Sequence, residues 1–225
     1  MATRHPRMNC RGHTLTAVVL QDLLGNLVDQ VLLHPQRELL EEFDALPCTE
    51  KFQIKNTLGQ MMYCALQKTD YRSQPFRGHR QAFEMEIYDR SAKEVIHLSQ
   101  PFMWSLYCFP WDVREMEVQA PPGVVVGFVK ETSHPCGPRY LIKDAKGEAV
   151  LKITGPPLAH CCRAGWDFEI LDRSCKTKLG MIAGQYFGHI QGGFGDVLSV
   201  QFPQESDLKL KALLLGASIL IESQI

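Results

Sequence analysis

A bulky apolar residue, a spacer, Ile, a spacer, then Asn or Asp: this phrase occurs four times along the chain. The copies are Phe52–Ile54–Asn56, Met85–Ile87–Asp89, Tyr140–Ile142–Asp144 and Phe168–Ile170–Asp172. Alternation with period two places both apolar side chains on one face of a strand. The closing Asn or Asp suits a turn, because its side-chain oxygen accepts hydrogen bonds from backbone N–H groups just ahead. A second apolar run follows each copy: Met61–Leu66, Glu94–Leu98, Glu148–Ile153 and Thr177–Ala183. Four hairpins are therefore predicted. Val113–Val118 and Val124–Val129 give a fifth around Pro121–Pro122–Gly123, with Pro fixing φ and Gly supplying a positive φ. Val197–Phe202 is a last strand before Pro203. The copies are unevenly spaced, which favours a closed or stacked sheet over a solenoid.

After Pro203 the pattern changes. Ser206 suits a helix N-cap and Asp207 its first turn, and the ten residues Ala212–Ile221 carry no charge. The spacing predicts a helix over about residues 206–222, whose apolar part is about 15 Å long. A bilayer core needs about 20 residues and 30 Å, so this segment, apolar on every side, is expected inside protein. At the other end, residues 1–19 read as a loosely ordered segment and 20–225 as one barrel domain. Arg4, Arg7 and Arg11 before Leu15–Leu20 imitate a secretory signal, but Asp22 interrupts the run. Leu20, Leu23, Leu24, Leu27, Val28 and Val31 fall at helical spacing and predict a short amphipathic helix.

Composition adds little. Of 225 residues, 45% are hydrophobic and 22% charged, an ordinary balance for one globular domain. A net charge of -1 gives no global attraction to polyanions, so nucleic acid is not an expected partner. The basic stretch 68–81 reads as a solvated loop. His134, Cys136, His160, Cys161, Cys162 and Cys175 lack the paired spacing of a zinc site, so reduced thiols are expected. There is no P-loop or dinucleotide fingerprint, and no histidine sits in a paired catalytic motif.

A family resemblance rests on several segments in one order. They are Asp29–Gln30–Val31–Leu32–Leu33–His34, Lys55–Asn56–Thr57–Leu58–Gly59–Gln60, Gln119–Ala120–Pro121–Pro122–Gly123 and His134–Pro135–Cys136. Val150–Leu151–Lys152–Ile153–Thr154–Gly155–Pro156, Asp167–Phe168–Glu169, Val200–Gln201–Phe202–Pro203 and Asp207–Leu208–Lys209–Leu210–Lys211–Ala212 follow. Over roughly residues 20–221 the chain resembles the phospholipid scramblase family. The resemblance implies a mainly β, tubby-like fold, a closed antiparallel barrel of about twelve strands around a central apolar C-terminal helix. It also implies a strand at Arg37–Phe43, where local propensity reads helix.

The implied activity is ATP-independent, bidirectional movement of phospholipids between bilayer leaflets, with calcium as cofactor. Carried over residue by residue, the family's acidic calcium segment falls on Asp196, Glu205 and Asp207, and much of its acidic pattern is missing. The palmitoylation cluster falls on 102–111 and keeps only Cys108, with Cys161–Cys162 as a second candidate for acylation. Stable anchoring takes two lipid signals. The implied partners are a phospholipid membrane surface and other proteins, at the cytoplasmic face of the plasma membrane with a cytosolic pool. The alternative is a soluble tubby-like barrel that binds lipid headgroups or proteins without transport.

Overall fold

The computed structural model describes residues 29–36, 51–68, 83–100, 114–132, 134, 137–157, 166–190 and 193–223. These form twelve strands and a helix. The first six strands are β1 (Gln30–Gln36), β2 (Lys51–Asn56), β3 (Met61–Gln67), β4 (Phe83–Tyr88), β5 (Glu94–Gln100) and β6 (Glu115–Gln119). The next six are β7 (Val125–Thr132), β8 (Arg139–Asp144), β9 (Ala149–Thr154), β10 (Trp166–Asp172), β11 (Lys178–Ile190) and β12 (Gly193–Gln201). Every strand pairs antiparallel with its neighbours in sequence, and β1 pairs with β12, which closes the barrel. The closed barrel and C-terminal helix expected from the resemblance are both present.

The repeated phrase builds three copies of one turn, at Asn56, Asp89 and Asp144, and a version one residue longer at Asp172. Asn56 Oδ1 accepts from the N–H groups of Leu58 and Gln60 at 3.0 and 2.9 Å. Asp89 takes those of Ser91 and Lys93 at 2.8 and 2.9 Å, and Asp144 those of Lys146 and Glu148, both at 2.9 Å. Asp172 takes those of Lys176 and Thr177 at 2.8 and 3.1 Å. Three residues after each Asn or Asp the backbone turns left-handed, at Gly59, Ala92, Gly147 and Cys175. At Asn56, Asp89 and Asp144 this is the three-residue hairpin in which a left-handed residue resets the register, and at Asp172, which closes on Thr177, the loop has four residues. In the fifth hairpin Gly123 holds φ 86°, and the Ala120–Pro121 peptide is cis. Strand direction alternates, so all five turns lie at one rim and the remaining connections at the other.

The helix, α1 (Leu208–Glu222), follows β12 and therefore enters the barrel from the turn rim. Asp207 is its N-cap, accepting from Leu210 N–H at 2.8 Å. Ser206, the expected cap, instead donates its hydroxyl to the Pro203 carbonyl at 2.7 Å. Ala212–Ile221 are all buried. An eight-stranded barrel is just filled by its own side chains, whereas twelve strands leave room for a helix about 10–12 Å across. Val31, Leu33, Ile54, Ile87, Leu98, Val118, Ile142 and Ile170 are among the side chains that line it, none with measurable exposure. Ser218, buried in this apolar setting, satisfies its hydroxyl on the Leu215 carbonyl at 2.7 Å. Close approach is bought with glycine: a Cβ at Gly127 would stand 2.1 Å from the Lys143 carbonyl oxygen and 3.1 Å from Leu213.

Val31 lies in β1, paired with Val200 and Asn56, so the helical spacing of Leu20–Val31 does not extend to it. Leu20–Val28 and the strand expected at Arg37–Phe43 lie outside the described residues. Leu214→Ala is expected to destabilise the protein by about 2–5 kcal/mol, because the helix cannot shift to fill the cavity inside a closed barrel. Leu58→Ala, at a position 80% exposed on a turn, is expected to change stability by less than about 0.5 kcal/mol. Urea unfolding midpoints of the two variants check both values.

Candidate functional site

The three positions aligned with the family's calcium segment are not brought together along the backbone. Asp196 sits on β12 opposite Tyr186, five positions before Gln201 at the turn rim. At about 3.4 Å per residue this places its backbone roughly 17 Å up the strand from that rim, where Glu205 and Asp207 lie. Glu205 is exposed, and Asp207 is spent on the helix N-terminus. Calcium takes about six to eight oxygens, and the positive end of a helix favours a carboxylate while opposing a cation. These residues do not fit a single calcium site. Cys108, Cys161 and Cys162 lie outside the described residues, in the β5–β6 and β9–β10 connections. His134 and Cys175 are described and fall at opposite rims, after β7 and between β10 and β11.

The densest ionisable cluster is on the outer face of β4 and β5. Inward Met85 and Ile87 leave Glu84, Glu86 and Tyr88 facing out, and the register sets Glu86 opposite His97 and Tyr88 opposite Glu94. His97 Nδ1 lies 2.9 Å from Glu94 and its Nε2 3.2 Å from Glu84, so the ring is held between two carboxylates. Glu86, only 7% exposed, is ion-paired with Lys68 and accepts from the Tyr88 hydroxyl. Burial pushes the Glu86 carboxyl up, but the hydrogen bonds from Lys68 and Tyr88 outweigh it and hold the group below its ordinary value. Each donor's own hydrogen bond to Glu86 raises it in turn, Lys68 and Tyr88 alike. Ligand atoms of Glu86, Glu94 and His97 lie within 4.8 Å of one another, yet both Glu86 oxygens are already engaged. The cluster braces two strands.

The tyrosines inside the barrel offer no proton chemistry either. Burial pushes the Tyr63 hydroxyl up to about 12 and that of Tyr140 higher still. Tyr140 packs on Phe168 with ring centroids 6.2 Å apart. Among the described residues no helix is long and apolar enough to cross a membrane.

The model of the family described as Scramblase matches residues 16–225, nearly the whole chain. The chain belongs to the scramblase family. Phospholipid scramblase 2 of Bos taurus is 41% identical over 197 residues, which is 87% of this chain and 67% of that protein. Phospholipid scramblase 1 of Rattus norvegicus is 39% identical over 87% of this chain and 59% of its own length. Phospholipid scramblase family member 5 of Homo sapiens is 31% identical over 87% and 73%. This scramblase chain thus spans about two thirds or less of the length of the first two relatives. No solved structure matches it significantly.

The Glu84–Glu86–Glu94–His97–Lys68 cluster went unread in the sequence, where His97 carries no paired motif. Glu84-x-Glu86 and Glu94-x-x-His97 signal it only once β4 and β5 are placed in register. Because folding depresses the Glu86 pKa, its stabilisation is complete above the unfolded value of about 4.3 and is lost as pH falls through the folded value. Glu86→Gln is expected to cost about 1 kcal/mol at neutral pH, allowing for the exposure of Lys68. That difference from the wild type should shrink as pH drops below about 4, read by urea unfolding across the acid range.

Proposed function

We propose that the chain moves phospholipids between the two leaflets of a bilayer, in both directions and without ATP. The observation that carries this reading is the scramblase family match over residues 16–225, together with relatives named phospholipid scramblase across 87% of the chain. The family match supports lipid translocation rather than chemical catalysis. The described interior supports a route along the outside of the barrel. It is filled by the helix and by apolar side chains, and a polar headgroup taken through it would lose its hydrogen bonds to water. No step is assigned to calcium. Membrane attachment at the cytoplasmic face of the plasma membrane, with acyl chains on Cys108, Cys161 and Cys162 and a cytosolic pool beside it, belongs to the same proposal.

A second reading is favoured by the separation of Asp196 from Glu205 and Asp207. A barrel without a calcium switch could bind headgroups or protein partners and transport nothing. Reconstitution separates the two. Purified protein in vesicles carrying a fluorescent phospholipid is expected to make the inner-leaflet label accessible to an external quencher faster than protein-free vesicles do. Equal flux with and without calcium chelator is expected. Bound protein with flux no faster than in empty vesicles would sink the transport reading and leave the binding module.

A further inference from the structure

The outer surface of the barrel is divided by charge. On β4–β6 it is acidic, with Glu84, Glu86, Glu94, Glu115 and Glu117. On β7–β9 it is basic. Inward-facing Val129, Tyr140, Ile142, Leu151 and Ile153 alternate with outward Lys130, Arg139, Leu141, Lys143 and Lys152. Register places Lys130 beside Leu141, Leu141 beside Lys152, and Lys152 beside Leu171 of β10. One rung across four strands therefore reads cation, leucine, cation, leucine. Val150, 36% exposed, is turned outward next to it by the irregularity at Ile142/Lys143.

Part of this charge is neutralised internally and part is not: Lys130 stands opposite Glu115 in register, but the Glu115 carboxylate is bonded to Lys143 instead. Lys143 is bonded to Glu115 at 2.8 Å on the β6 side, and Lys178 to Glu169 at 3.1 Å on the β10 side. Lys130, Arg139 and Lys152 form no ion pair among the described residues. Three unspent cations around aliphatic side chains need a partner that is anionic at its surface and apolar just beneath.

We propose that the outer face of β7–β9 is the surface on which the barrel rests against an anionic phospholipid leaflet. Lys130, Arg139 and Lys152 lie over the headgroups, and Leu141, Val150 and Leu171 reach the headgroup–acyl boundary. Charge complementarity selects the leaflet, and the interleaved aliphatics distinguish it from a merely polyanionic partner. This proposal rests on the membrane reading above and adds the orientation. The helix stays inside the barrel, and the acidic β4–β6 face is turned to one side.

The test is co-sedimentation of the full chain with vesicles of phosphatidylcholine alone or mixed with phosphatidylserine. Binding is expected only with phosphatidylserine and should weaken with added salt. Each lysine near such a surface contributes about fivefold in affinity, so Lys130→Gln/Lys152→Gln is expected to lose roughly 25-fold. The matched control is Lys51→Gln/Lys55→Gln on β2, six strands from β8 and so across the barrel, which should stay within about twofold. Equal losses in the two pairs, or binding indifferent to phosphatidylserine, would overturn the assignment. So would an unchanged affinity in Leu141→Gln, which would leave an acidic macromolecule as the partner of this face. Lipid flux is scored separately. A chain that binds through β7–β9 but moves no lipid defeats the transport reading alone. Flux with unchanged binding in Lys130→Gln/Lys152→Gln defeats the orientation alone.

Discussion

Everything in this fold answers to a helix whose ten central residues, Ala212–Ile221, have no polar side to show to water. A helix apolar all round must be enclosed all round. An open sheet could cover only one flank, so the sheet closes, and about twelve strands give a lumen of the needed width. The inward face of each strand is then committed to apolar side chains, aliphatic and aromatic. Gly127 and Gly216 mark where the wall comes too close for a side chain, since a Cβ at Gly216 would meet Leu98, Met116 and Val118 at 3.1–3.2 Å. With both faces of the interior settled by this contact, only the outer surface and the rims remain free to carry function.

That division shapes the functional reading. On the proposed reading the chain acts on lipid, yet its described interior is filled by the helix and apolar side chains. The outer wall is differentiated instead. A braced carboxylate–histidine–lysine cluster occupies β4 and β5, and a basic sector alternating with leucine, in which only Lys143 is ion-paired among the described residues, occupies β7–β9. The contrast matters because paired charges hold strands together, while unpaired ones remain available to a partner.

Much of this was legible in the sequence, because its signals are local. The four apolar-x-Ile-x-Asn/Asp phrases specify a strand face and a turn within five residues, and each became a hairpin capped by its Asn or Asp, the one at Asp172 a residue longer than the rest. Where two local signals overlapped, the reading failed. Ser206 and Asp207 are both good caps one residue apart, and the choice fell to Asp207 because Ser206 closes back on Pro203. Val31 continues a helical spacing but belongs to the in–out alternation of β1. The candidate sites were legible least. Asp196, Glu205 and Asp207 look close in sequence, but an extended strand spends about 3.4 Å on each residue between them. Glu84, Glu86, Glu94 and His97 look scattered, and only the register and the irregularity at Ile87/Tyr88 gather them.

The order of elements also dictates a schedule. The segment that fills the lumen is the last element along the chain, and the pair that seals the wall joins its first strand to its last, Gln30 with Gln201. During synthesis at roughly 5–20 residues per second, hairpins can form one by one as they emerge, each with its apolar face still uncovered. None of them can reach its final packing before α1 has left the ribosome. Final packing thus waits for β12 and α1, and the nascent sheet needs shielding until the closing contact between β1 and β12 is made.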